Sequence, residues 1–130
     1  MSNMELSRPY TAKVDLTGKV GYAVVGTTDT PDTNTPFVTL AGANAPAVGV
    51  IKDDGFGINT AVLVVRHGFA QIQAGATAIP AMAALKVDAN GAFVPATAAG
   101  DVVVAYAQCP IAANGTGEAC ITAPSVIKIA

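Results

Sequence analysis

Residues 84–123 read ALKVDANGAFVPATAAGDVVVAYAQCPIAANGTGEACITA. The order is strand, Asn-Gly turn, short strand, Ala-rich link, long apolar strand, Gly-rich turn and strand. Asn90-Gly91 between two apolar runs is a hairpin signal, because both central positions of such a turn favour positive φ. Nearly every polar group of the stretch falls in its turns, and almost nothing in it can do chemistry. A segment of this kind builds a sheet and a surface.

The same grammar extends outward. Val20–Val25, Phe37–Leu40, Ala47–Lys52, Ala61–Arg66 and Phe69–Gln73 read as strands, followed by Leu85–Asp88, Ala92–Pro95, Val102–Gln108, Glu118–Thr122 and Val126–Ile129. Turns are expected at Lys52-Asp53-Asp54-Gly55 and at the His67-Gly68 corner. The continuous apolar run Ala61–Val65 suits a strand buried on both faces. Residues 26–36, GTTDTPDTNTP, are loop by composition, with Asp29, Asp32 and Asn34 suited to Asx turns. Residues 74–84 hold the one helical candidate. Pro80 in its middle would remove a hydrogen bond and clash with the preceding turn, so an irregular connection is expected.

Residues 1–17 are polar and mixed, with Pro9 among them. They read as an extended N-terminal arm that gains a strand at Tyr10–Leu16, leaving 18–130 as a single β-rich domain. The expected fold is all-β, a small antiparallel β-sandwich or barrel, jelly-roll-like, carrying that arm. A sequence echo runs through it. Ala47–Val50, a turn, Ala61–Val64 and Ala70–Ile72 correspond to Val103–Tyr106, a turn, Glu118–Ile121 and Val126–Ile129. Duplication and the general likeness of Val/Ala strands both explain the echo.

Composition bears on function. The chain has 130 residues, 52% of them apolar, only 12% charged and 5% aromatic, with no Trp. An Ala/Val core buries little area per residue, and burial returns only about 25 cal/mol per Å². Low charge and a thin core together favour completion against copies of itself or a partner. The net charge of −2 and seven scattered basic residues exclude a phosphate-neutralising stripe, so no nucleic-acid partner is expected. No apolar run approaches the ~20 residues that cross a membrane. The start, MSNMELSRPYTAKVD, lacks the charged and apolar regions of a secretion signal, which implies synthesis in a cytoplasm.

Candidates for chemistry are few. His67 is the single histidine; it could act as a base beside Asp53 or Asp54, but no motif spacing joins them, and a turn residue explains it more simply. Asp29, Asp32, Asp53 and Asp54 could offer oxygen ligands to a hard cation, yet they lack the alternation of a calcium loop and read as solvated loop carboxylates. Gly55-Phe56-Gly57 and Gly115-Thr116-Gly117 precede no helix and read as hairpin turns rather than phosphate cradles. No catalytic residue, metal or cofactor is therefore expected. An antiparallel last hairpin could bring Cys109 opposite Cys120, within bridging geometry. Cytoplasmic synthesis argues for reduced thiols, so free, buried cysteines are expected.

The run Leu85-Lys86-Val87-Asp88-Ala89-Asn90-Gly91-Ala92-Phe93-Val94-Pro95-Ala96, the following Gly100–Ala107 and the later Gly117-Glu118-Ala119-Cys120-Ile121 resemble the capsid decoration (cement, or head-stabilisation) proteins of tailed bacteriophages. Val48-Gly49-Val50 and His67-Gly68-Phe69-Ala70 resemble the first half of the same pattern. The likeness spans roughly 47–121 and rests on the order of otherwise generic hairpin motifs; residues 26–36 have no counterpart in it. It implies a non-enzymatic, multimeric virion protein that binds the outer surface of an assembled capsid and cements neighbouring major capsid subunits. The implied partners are the major capsid protein and further copies of this chain, as trimer or dimer. An arm of 17 residues reaches about 55–60 Å when fully extended, enough to cross onto a neighbouring subunit. Leu6, Pro9 and Tyr10 are the expected capsid contacts. A surface-displayed β-domain that binds a glycan or host molecule is the alternative, disfavoured because seven aromatics without Trp make a poor sugar platform.

Overall fold

The computed structural model describes residues 6–27, 36–53, 57–58 and 60–126. Nine strands follow one another: β1 (Leu6–Ala12), β2 (Ala23–Gly26), β3 (Phe37–Leu40), β4 (Gly49–Ile51), β5 (Ala61–Gln73), β6 (Ala84–Val87), β7 (Phe93–Pro95), β8 (Val102–Ala107) and β9 (Thr116–Val126). No helix occurs among the described residues. The strand order is β1-β3-β2-β4-β5-β9-β8-β6-β7, and a further β1–β5 pairing closes the first five into a barrel. The ladders between these strands are antiparallel except for the short β1–β3 ladder. The second half is a five-stranded sheet, β5-β9-β8-β6-β7, whose far edge returns towards β5 through a bridge between Ala74 and Phe93.

β5 belongs to both halves. Residues 61–67 pair with β1 and β4, and Gly68–Gln73 pair with β9. Leu6 pairs with His67 but Ser7 with Val65, so Arg66 is an extra residue on β5. One extra residue in a strand exchanges its two faces beyond that point. Val62 and Val64 accordingly fill the barrel, whereas Ile72, at an even position beyond the extra residue, lies in the other core, which Val65 reaches from the opposite face of the strand. Gly68, at φ +106°, makes the turn of the backbone that this shift requires.

Two cores result. Inside the barrel lie Tyr10, Ala12, Leu16, Val24, Val38, Ile51, Val62 and Val64. Between the barrel wall and the second sheet lies a larger cluster that includes Ala23, Val50, Val65, Ile72, Leu85, Phe93, Ala105 and Ile121. β4 separates them and is buried on both sides, with Ile51 turned to one core and Val50 to the other. Close approach at this wall excludes a side chain at Gly49, where a Cβ would collide with the Val65 carbonyl and lie 2.6 Å from Val64 Cγ1.

Polar clips join loops to the sheets. Asn44 accepts from the Val102 N–H (2.7 Å) and donates to the Gly100 carbonyl (3.1 Å), tying the β3–β4 loop to the start of β8. Asp101, buried at the start of β8, accepts from the Thr97 and Ala98 amides (3.0 Å each) and from Lys86 Nζ (3.1 Å). The Ala98 amide, then Lys86, hold its carboxyl below the usual carboxylate range.

The expected elements recur with three corrections. The arm expected over 1–17 is, from Leu6 to Ala12, a strand of the barrel, and Leu16 is fully buried; six pairs with β5 hold it there. The strands expected on either side of His67-Gly68 are one strand, and β9 likewise runs on through Pro124 to Val126. The echoed hairpins exist as β4–β5 and β8–β9. Residues 28–35, 54–56 and 127–129, which carry most of the expected 26–36 loop, part of the Lys52–Gly55 turn and most of the final strand, lie outside the described residues.

Two outcomes follow. Gly49→Ala should cost about 3 kcal/mol in urea denaturation, as overpacking of a rigid wall does, while Gly42→Ala, with nothing within 4 Å of its added Cβ, should leave the midpoint unchanged. Asp101 has a lowered folded pKa, so its stabilisation is complete above the ordinary value of about 4 and is lost as pH falls through the lower folded value. Thermal melts between about pH 2 and 6 should show that loss in the native chain and a flatter profile in Asp101→Asn.

Candidate interaction surface

The residues singled out for chemistry do not converge. His67 is exposed at the β5 junction. Asp53 accepts from the Leu63 N–H at 3.0 Å, four residues along β5 from His67, or about 13 Å in an extended strand. Asp54, Asp29, Asp32 and Asn34 lie outside the described residues. Among the described residues no group of three or more His, Cys, Asp or Glu is placed to hold a metal. Both cysteines are free. Tyr106 pairs with Cys120, and Cys109 is three residues further along, so the thiols are out of register by about 10 Å, beyond bridging range. Cys109 is exposed and Cys120 half-buried, where buried thiols were expected.

The expected contact residues of β1 separate by face. Tyr10 points into the barrel and is 5% exposed, with the Arg8 guanidinium 5.0 Å from its ring centroid. Its place is structural, not an outward contact. Pro9, on the opposite face of the strand, is exposed beside Leu63 of β5. Leu6 is placed by its backbone pairing with His67.

The surface that the sequence did not reveal lies on the second sheet. Phe69 of β5 pairs with Cys120 of β9, and Cys120 with Tyr106 of β8. The flanking residues Gly68, Ala119, Ile121, Ala105 and Ala107 are buried, so this row points away from the core. Phe69 is 44% and Tyr106 41% exposed. Val20, also exposed, lies with Phe69 around a hollow of about 270 Å³ that Ile51, Lys52, Gln71 and Glu118 help to line. A second, mainly apolar groove of about 460 Å³ lies between Ala47-Val48, Arg66-His67 and Thr122–Pro124. Neither contains a nucleophile, base and orienting group together.

No protein-family model and no curated protein sequence matches this chain. Among solved structures, the head fiber gp8.5 N base of bacteriophage phi29 is similar in fold, with a TM-score of 0.68 over 92% of this chain and 95% of that one. At 14% sequence identity the likeness is one of architecture.

Proposed function

We propose that this chain is a structural protein of a phage virion, bound to the outer surface of the capsid. The correspondence in fold with the phi29 head fiber base carries this reading, because it extends over nearly the whole of both chains. The resemblance of residues 47–121 to capsid decoration proteins points the same way. The surface agrees with such a role, since its outward features are apolar rows and grooves.

The finer reading is cementing. A protein that binds the assembled shell, and not free capsid subunits, stabilises the shell by mass action. Contacts repeated by symmetry then sum to resistance against internal pressure, with no catalytic step. The capsid is met by the outer wall of the barrel, where Pro9 and Ala61 stand exposed on adjacent strands. Tyr10 serves behind that wall by filling the barrel.

The test uses expanded capsids that lack the protein. Added protein should co-sediment with them, not with free capsid subunits, and should raise the temperature at which they release DNA. Pro9→Glu should weaken co-sedimentation without changing the protein's own melting temperature. Absence of co-sedimentation sinks the capsid reading; co-sedimentation with unchanged heat release sinks the cementing part alone.

A further inference from the structure

Two Asn-Gly links stand in nearly the same local sequence, Ala89-Asn90-Gly91-Ala92 and Ala113-Asn114-Gly115-Thr116. Glycine after asparagine leaves the side-chain amide open to attack by the next backbone nitrogen, because no Cβ shields that nitrogen. Both asparagines are exposed, so neither sequence nor solvent access separates them. The hydrogen bonds around each link do. Gln73 Nε2 donates to the Asn114 carbonyl (3.0 Å) and also to those of Ala74 (3.1 Å) and Gly115 (3.2 Å). The Gly115 N–H donates to the Ala112 carbonyl at 2.9 Å, and the Asn114 N–H to the Gly75 carbonyl at 2.7 Å. Both polar groups of the Asn114–Gly115 peptide are thus tied. In the β6–β7 turn the Gly91 N–H reaches the Asp88 carbonyl only at 3.2 Å, and the Asn90 carbonyl has no partner among the described residues. Asp88 Oδ1 accepts from the Asn90 N–H (2.8 Å) and the Ala92 N–H (3.0 Å). It holds the flanks of the turn and leaves the peptide between Asn90 and Gly91 able to swing.

We propose that Asn90 is a site of self-modification, at which the chain converts its own asparagine to isoaspartate, and that the fold protects Asn114 from the same reaction. The Gly91 nitrogen attacks Asn90 Cγ. A new C–N bond closes a succinimide ring, and the side-chain nitrogen leaves as ammonia with the proton lost from Gly91. Water then opens the ring. Opening at the Asn90 main-chain carbonyl gives isoaspartate, with the chain rerouted through Cγ; opening at Cγ gives aspartate. The peptide plane must rotate before the attack, so hydrogen bonds on that plane set the rate. Two bonds resist the rotation at Asn114, and a single long one at Asn90. The product matters because of where the turn sits. The Gly91 carbonyl accepts from the Ala23 N–H of β2 at 2.8 Å, which fastens the second sheet to the barrel wall. Isoaspartate lengthens the backbone of the turn by a carbon atom and sets a second carboxylate beside Asp88, and like charges at that distance repel. Conversion therefore loosens this fastening.

The experiment incubates the free protein at mildly alkaline pH and follows both peptides by mass spectrometry, with an isoaspartate-specific methyltransferase as the label. In the folded chain Asn90 should convert at least about fivefold faster than Asn114. In urea, where only local sequence acts, the two rates should match. Asn90→Gln should remove the fast conversion, since the longer side chain closes a less favourable ring. Gln73→Ala, which frees the Asn114 carbonyl, should bring Asn114 up towards the rate of Asn90. The converted protein, separated by its added negative charge, should melt below the unconverted one. Equal rates in the folded chain, faster conversion at Asn114, or no conversion at either overturns the proposal. A ratio in urea as large as in the folded chain, or a Gln73→Ala protein in which Asn114 stays slow, overturns the protection by hydrogen bonds. An unchanged melting temperature after conversion overturns the loosening. Every readout is taken without capsids, so the outcome leaves the capsid reading where it stands.

Discussion

The structure turns on one added residue in β5. Arg66 has no partner of its own on β1, and that single insertion exchanges the faces of a thirteen-residue strand. Without it, Val62, Val64, Gly68, Ala70 and Ile72 would share one side, and Ile72 could not join Val65 in the core between the barrel wall and the second sheet. With it, the first half of β5 fills the barrel and the second half supports the other sheet. Gly68 is the residue that lets the backbone take this course, and its neighbour His67 is exposed because a bulge turns two successive side chains towards solvent.

This wall also accounts for the composition. Ala, Val and Gly dominate where β2, β4 and β5 stand between two cores, since strands packed on both sides leave little room. Gly49 is the extreme case, with no space for even a methyl group. The thin core inferred from composition is thus two cores sharing one layer, and Asn44 and the Ala23–Gly91 backbone bond (2.8 Å) hold loops of one half on the other. A scarcity of large side chains is then satisfied within one chain. It ceases to be an argument for oligomerisation by itself.

Local features were legible in the sequence and non-local ones were not. Phe37–Leu40 is a strand with the expected bounds, the Asn90-Gly91 turn joins β6 to β7, and Pro80 sits in an irregular connection as its chemistry demands. His67-Gly68 was read as a corner, and Glu118–Thr122 and Val126–Ile129 as separate strands with Pro124 between them; glycine and proline ordinarily end strands. Here they sit at bulges, where the ladder is already interrupted and their peculiarities cost little. The N-terminal strand misled for a different reason. Its partner β5 lies some fifty residues away, and the alternation over Tyr10–Leu16 that marks a strand does not say that Tyr10 will close a barrel. The aromatic row was hidden in the same way, since Phe69, Tyr106 and Cys120 become neighbours only through the registers of three strands.

Those registers also decide which faces remain open. The barrel has no free edges, so its strands offer only side chains to a partner. Among the described residues the second sheet is covered on its inner side by the barrel wall and exposes Phe69 and Tyr106 on its outer side. Any assembly built from this chain must use that difference: a closed wall with Pro9 on it, and an open sheet with two aromatics at its centre. Contacts through separate faces do not compete, so a partner on the open sheet would leave the barrel wall free. One body can in that arrangement bridge two surfaces, which a single patch could not do.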